Sequence, residues 1–241
     1  MKREPEASDG ILGLLARGQI KPLGLMPNAS NYTFLTEVTD SGRKALAVYK
    51  PRDGETPLWD FPEGTLCRRE VAAYVVSRAL GWPAVPPTVL REGPHGPGSL
   101  QLFIDANPHE HFFTLRETCS DAFLAVAVFD VIVNNADRKG GHCMRGADGT
   151  IWVVDHGVCF STEPKLRTVI WDFAGEPVPE AIRADVRRAA EDLRSGAVRE
   201  EMLGLLSPRE VEATADRAKR LAESGRFPQP GPRRAYPWPP L

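Results

Sequence analysis

No Cys-x-x-Cys pair occurs in this chain, and its four cysteines, Cys67, Cys119, Cys143 and Cys159, lie scattered along it. That spacing fits no common zinc finger or ribbon and agrees with free thiols in a reducing compartment. Long apolar runs are missing too. The longest covers residues 122–129, is broken by Asp130 and resumes over 131–133, too short and too interrupted to span a bilayer. Residues 1–10 carry acids and lack the basic start and apolar middle of a secretory signal. A cytoplasmic protein without stable membrane insertion is expected. An excess of one charge is also absent. A net charge of −2 over 241 residues makes no global field to hold nucleic acid, and none is expected as a partner. No internal repeat is visible, and the one biased segment is the proline-rich stretch 226–241.

What is present is ordinary globular material, 42% hydrophobic and 26% charged, and long enough for one large domain or for two small lobes around a cleft. Residues 31–38 alternate as a strand should, 39–42 read as a turn, and 45–50 read as a second strand. In that second strand Leu46, Val48 and Lys50 share one face, so a lysine closes an apolar stripe. Residues 66–80 carry Val71, Val75 and Ala79 at helical spacing and stop at Gly81 and Pro83. Two short apolar runs, 88–90 and 100–104, flank a Gly/Pro-rich turn and read as a hairpin. Further on, Ser120 is expected to cap a buried helix through Val133, and 151–154 reads as a strand. Ile182, Val186, Ala189 and Leu193 mark one face of a helix, and Ser207-Pro208-Arg209-Glu210 is a capping box opening another that ends near Gly225. Residues 11–15 make a short helical turn or two, and Pro108-His109-Glu110-His111 reads as a polar loop. The expected class is α+β, with a β-rich lobe over 1–105, an α-rich lobe over 106–225 and a tail over 226–241.

The chemistry concentrates in Asn134-Asn135-Ala136-Asp137-Arg138-Lys139-Gly140-Gly141-His142, between a buried helix and a strand. Polar groups packed between apolar elements are costly unless they bond or act. Asp155-His156-Gly157 ends the following strand, so helix, polar loop, strand and Asp-x-Gly direct two acids toward one cleft. This order resembles the protein-kinase-like fold in its phosphatidylinositol 3-/4-kinase branch. Asp137-Arg138 matches the start of that branch's catalytic loop, Asp155-His156-Gly157 its metal motif, and Ala47-Val48-Tyr49-Lys50 its lysine strand. The nearly full-length chain, including Tyr236-Pro237-Trp238-Pro239, also resembles a family of short actinobacterial proteins related to phosphatidylinositol kinases.

The resemblance implies roles. Lys50, paired with Glu70, neutralises the α- and β-phosphates of ATP. Asn28-Ala29-Ser30-Asn31 forms the turn over the phosphates, with the Ser30 and Asn31 side chains as donors. Val48 lines the adenine, and the linker 102–105, including Phe103 and Ile104, reads its edge. Asp137 orients or deprotonates the acceptor hydroxyl, with Arg138 and Lys139 beside it in the catalytic loop. Asp155 and His142 hold Mg²⁺ or Mn²⁺. Two positions depart from the branch's pattern: His142 stands where asparagine is usual, and Lys139 where histidine is. The implied function is transfer of the γ-phosphate to an unidentified protein or small-molecule acceptor. A nucleotide-binding pseudokinase or scaffold and an adenylyl transferase are the alternatives. After the metal motif, 171–175 reads as a loop whose aromatics anchor it to the core, and Cys143 and Cys159 as buried thiols.

Overall fold

A computed structural model describes residues 5–27, 31–232 and 234–241, and side chains from residue 10 onward. The first lobe opens with α1, Pro5–Arg17, longer than the turn or two expected. Strands β1 (Gln19–Leu25), β2 (Phe34–Asp40) and β3 (Arg43–Pro51) follow, then α2 (Leu66–Leu80), β4 (Thr88–Gly93) and β5 (Gly96–Leu102). They form a five-stranded antiparallel sheet in the order β1-β2-β3-β5-β4. The β2–β3 turn is Ser41-Gly42, with φ of 49° and 82°, because a two-residue hairpin needs left-handed backbone at both centres. No pattern in the sequence announces β1. It is an exposed edge strand whose Pro22 and Gly24 break any alternation.

Alternation along β3 separates two jobs. Ala47 and Tyr49 point into a small core with Leu14, Leu15, Val38 and Leu100. Leu46, Val48 and Lys50 point the other way, toward the second lobe. α2 lies between the sheet and that lobe, touching β4, β5, α4, α5 and α6, so it is apolar on more than one face. Val75 and Val76 are fully buried, each contributing about 1.5–3 kcal/mol. Gly81, at φ 85°, ends the helix with its N–H on the Ser77 carbonyl.

The second lobe contains β6 (Ala106–His111), α3 (Phe112–Leu115), α4 (Ser120–Val133), β7 (Cys143–Gly146) and β8 (Ile151–Val153). Helices α5 (Glu180–Ser195), α6 (Ala197–Leu203) and α7 (Pro208–Ser224) complete it. A small sheet in the order β6-β7-β8 flanks the helices. Phe123, Phe129 and Ile132 of α4 form the main core with Val186 and Leu193 of α5 and Val211 and Ala215 of α7. Three expectations need correction. Ser120 is the first helical residue; Cys119 occupies the cap position, without a side-chain cap bond. His109 and His111 lie in strand β6 rather than a loop. Its polar residues hide it, since it pairs irregularly through Ala106 with Gly146 and His111 with Met144. The lobe expected to be mostly helical thus also holds a sheet. The Ser207–Glu210 capping box is present, and Gly225 closes α7 at φ 62°. No helix among the described residues is long and apolar enough to cross a membrane.

Candidate functional site

Lys50 leaves β3 toward α2, where its Nζ lies 2.5 Å from Glu70 Oε1. Glu70 is almost fully buried, and its Oε2 accepts the backbone N–H of His156 at 3.0 Å. One carboxylate therefore holds the strand lysine with one oxygen and the second lobe with the other. Asp155 follows β8 with φ at 62°, a left-handed conformation that aspartate tolerates better than most residues. This turn brings its Oδ1 to 3.0 Å from Lys50 Nζ and its Oδ2 to 3.3 Å from His142 Nε2. Its side chain is 52% exposed, against 3% for Glu70. Asp155 thus pairs with Lys50 and still faces solvent.

Electrostatics follow from this packing. The Lys50 ammonium beside it holds the Asp155 carboxyl far below the usual carboxylate range, and His142 adds to the effect. Burial works against the Lys50 charge, but Asp155 and Glu70 together raise its pKa above the ordinary lysine value. Burial, with the nearby Arg138, Lys50 and Lys139 cations, pushes the His142 imidazole down to about 4 despite Asp155. His142 is therefore neutral at pH 7, and its contact with Asp155 is a hydrogen bond rather than an ion pair. Its Nδ1 accepts the Lys139 N–H at 3.4 Å, so Nε2 carries the proton toward Asp155. Ligation of a metal through Nε2 would shift that proton to Nδ1 and give up the long Lys139 bond.

Asp137 lies near enough to Asp155 for the two charges to interact. Its Oδ2 is 3.7 Å from Lys139 Nζ, and Asn135 Oδ1 accepts its backbone N–H at 3.0 Å. Burial raises its pKa, Lys139 opposes this, and the Asp155 charge adds to the rise. Arg138 belongs elsewhere. Expected among the catalytic residues, it is fully buried and cannot touch substrate, because its guanidinium is consumed inside the protein. Nε reaches Asp130 Oδ2 at 3.0 Å, Nη1 reaches the Val154 carbonyl at 2.9 Å, and Nη2 reaches His156 Nε2 at 2.8 Å. Arginine only donates, so His156 Nε2 accepts and its Nδ1 carries the hydrogen. That Nδ1 is buried without a hydrogen-bond partner, 3.9 Å from Glu70 Oε2. Asn135 completes the sealed network by donating to Asp130. Asn134 bonds the Ser161 and Glu163 carbonyls and the Lys165 N–H, fixing the segment after Asp155.

The adenine and phosphate positions fare differently. Val48 is half-buried on the cleft face of β3. The Phe103 N–H is committed to the Leu46 carbonyl at 2.9 Å and the Leu102 N–H to the Pro87 carbonyl, so the linker's free edge begins at Ile104. Asn31 Oδ1 accepts the Thr56 N–H at 2.8 Å, anchoring Asn31 to the segment after β3. Ser30 lies outside the described residues. Two cavities in the first lobe do not include Lys50, Glu70 or Asp155. One, of about 610 Å³, is lined by Arg52, Glu55, Phe61 and Arg68; the other, of about 690 Å³, by Leu25, Tyr32, Phe34 and His95.

Sequence reasoning missed Arg69. It is nearly fully buried, donating to the Cys159 carbonyl at 2.6 Å and to Glu210 Oε1 at 2.5 Å, and it binds α2 to the second lobe. Its one readable signal is a cation beside Glu70 on a helix otherwise rich in apolar residues. Trp171 bonds the Ala235 carbonyl and Phe173 packs on Phe227, so the 171–175 loop is anchored to the core as expected. Cys143 and Cys159 are buried, and burial pushes the Cys143 thiol up to about 12.

A sheet lobe and a helical lobe joined at a Lys–Glu–Asp cluster define the protein-kinase-like fold. The crystal structure of the Golgi casein kinase with Mn/ADP bound superposes at a TM-score of 0.58 with 14% identity, over 92% of this chain and 76% of that one. A second Golgi casein kinase structure gives 0.51 over 92% and 74%. The chain belongs to the family of Protein Rv2133c from Mycobacterium tuberculosis, with 40% identity over 261 aligned residues and 94% of each chain covered. It is 30% identical over 169 residues to phosphatidylinositol 4-kinase gamma 4 of Oryza sativa, covering 54% of this chain and 30% of that protein. Phosphatidylinositol 4-kinase gamma 3 of Arabidopsis thaliana is 25% identical, with 54% and 31% covered. The chain therefore spans less than a third of the length of these plant relatives. No protein-family model matches it.

Proposed function

We propose that this chain is an ATP- and divalent-metal-dependent phosphotransferase of the phosphatidylinositol 3-/4-kinase-like branch, acting in the cytoplasm on an unidentified protein or small-molecule acceptor. The nucleotide sits between a lobe of residues 1–105 and one of 106–225. The observation that carries this reading is the meeting of Lys50 with Glu70 at 2.5 Å and with Asp155 at 3.0 Å, across the lobe boundary. Two likenesses support it: the stretch shared with kinases named for phosphatidylinositol, and the fold shared with a Golgi casein kinase that holds Mn/ADP.

Among the described residues, no group of three His, Cys, Asp or Glu could hold a metal ion. The cluster instead offers one exposed carboxylate, Asp155, with the His142 imidazole beside it. A hard cation delivered with phosphates asks for about one or two carboxylates and takes its other ligands from phosphate and water. The set fits such an ion, and the imidazole favours Mn²⁺ over Mg²⁺. When bound, the ion supplies charge neutralisation between phosphate oxygens.

The chain's own groups do the rest. Lys50, held by Glu70, presents a fixed cation to the α- and β-phosphates. Val48 covers one face of the adenine, and the backbone after Phe103, at Ile104, reads its edge. Asn31 and Ser30 serve the phosphates as donors, and the Thr56 N–H holds the Asn31 side chain. Asp137 orients the acceptor hydroxyl and takes its proton, a task that its raised pKa suits. Lys139, 3.7 Å away, neutralises the phosphoryl group as it moves. Arg138 positions this loop from inside the protein. The test is incubation with γ-labelled ATP, Mn²⁺ and cell extract, with Asp137→Ala and Asp155→Ala as controls. Label transferred by the native chain and lost in both variants supports the reading. Label from α-labelled ATP would make the protein an adenylyl transferase. ATP binding without transfer would make it a pseudokinase.

A further inference from the structure

Residues 234–241 have no helix or strand of their own, yet they close over the catalytic loop. Their contacts are specific. The Ala235 carbonyl accepts two donors, the Thr168 N–H and the Trp171 indole N–H, each at 3.1 Å. At the far end of the segment, the Leu241 side chain covers Gly140. The Pro240 carbonyl accepts the Gly140 N–H at 2.8 Å. A Cβ added at Gly140 would lie 2.6 Å from the Phe113 ring and 3.3 Å from Leu241 Cδ1, so the loop is pressed between them.

The two anchor points matter because of what they hold. Gly140 opens the turn Gly140–His142, which sets the Lys139 and His142 side chains against Asp137 and Asp155. Thr168 lies on the strip that pairs with Arg138, through Arg138 N–H to the Arg167 carbonyl at 2.9 Å and Val169 N–H to the Arg138 carbonyl at 3.1 Å. The tail therefore ties Gly140 of the reacting loop to the 167–169 strip that pairs with Arg138. Burial alone does not hold it there: Trp238 is 76% exposed and Leu241 57%. Backbone carbonyls hold it, and its prolines reduce the entropy lost when it is ordered.

We infer that residues 235–241 are a positioning strap for the catalytic loop, needed for transfer and dispensable for nucleotide binding. The activity arm of this inference rests on the phosphotransferase reading; the structural arm does not. A chain ending at Arg234 is compared with the full chain by amide hydrogen exchange, by transfer from γ-labelled ATP, and by the thermal shift with Mn–ATP. Exchange at the Gly140 and Thr168 amides is expected to accelerate about tenfold, the scale of one lost backbone hydrogen bond. Transfer falls by a similar factor, the Mn–ATP shift stays, and a synthetic peptide of residues 235–241 restores part of the protection. Leu241→Gly, at an exposed position that leaves the core intact, covers the case in which the shortened chain does not fold. It should accelerate Gly140 exchange by a smaller factor. Unchanged Gly140 protection in both variants, or an unchanged transfer rate in the shortened chain, overturns the strap. If the full chain transfers nothing, the kinase reading falls, and the exchange comparison still decides the strap.

Discussion

Asp155 and His156 are neighbours in sequence and belong to two unlike charge clusters. Asp155 joins Lys50 and His142 in a group open to solvent. His156 joins Arg138 and Asp130 in a group with no exposed side chain. Both contain a cation, a carboxylate and an imidazole. In the open group Asp155 keeps an accessible face, so an incoming cation or phosphate can compete for the bonds it makes. In the sealed group all three nitrogens of the Arg138 guanidinium are engaged, and any rearrangement strands a buried charge. The difference shows that like residue types divide by solvent access into an open set and a sealed frame.

Breaking the frame should have the largest effect. Arg138→Met leaves Asp130 charged and unpaired in the core and should cost about 3–5 kcal/mol of stability in denaturant melts. A loss under about 1 kcal/mol would show that the sealed group is not a frame. Asp155→Ala should leave folding intact and cut transfer about 10²–10³-fold, in line with removing one preorganised electrostatic group. Comparable losses of stability in the two variants would erase the distinction between the clusters. Glu70→Gln touches both. It removes the charge that holds Lys50 while keeping the shape, and should raise the ATP requirement about ten- to a hundredfold through loss of a charged hydrogen bond. An unchanged ATP requirement would remove Glu70 from the site.

The smallest expected effect concerns pH and the Arg69–Glu210 link between the lobes. Burial would raise the Glu210 pKa, but hydrogen bonds from Ser207 and the Arg69 charge outweigh it and hold the pKa below its ordinary 4.5. A carboxylate depressed in the folded state adds stability that is complete above its unfolded pKa. That contribution is lost as pH falls through the folded value. Acid melts of the native chain should therefore steepen below about pH 4.5 relative to Glu210→Gln. Parallel curves would show that the link does not depend on charge.

Much of the first lobe could be read from local pattern. Alternation in β3 put Lys50 on the face of Val48, and helical spacing with Gly81 bounded α2. The capping box bounded α7. β1 and β6 escaped because edge strands bury little and need no alternation: Pro22 and Gly24 interrupt one, and Asn107 to His111 make the other polar. In the site, motif order pointed to Lys50, Asp137 and Asp155, which the fold draws together. The same motif made Arg138 look like a reacting residue, since sequence spacing carries no information about whether a side chain is sealed.

Sequence alone determined most of the strands and helices, β1 and β6 excepted, and the order in which one lysine and two aspartates follow them. Both depend on neighbours a few residues apart. Only the tertiary structure decided that Arg138 is sealed and Asp155 open, and that Arg69 meets Glu210 across 141 residues of chain. It alone placed the proline-rich tail on Gly140. These outcomes depend on water being excluded by segments far apart in the chain, and desolvation sets the cost of every charge they enclose.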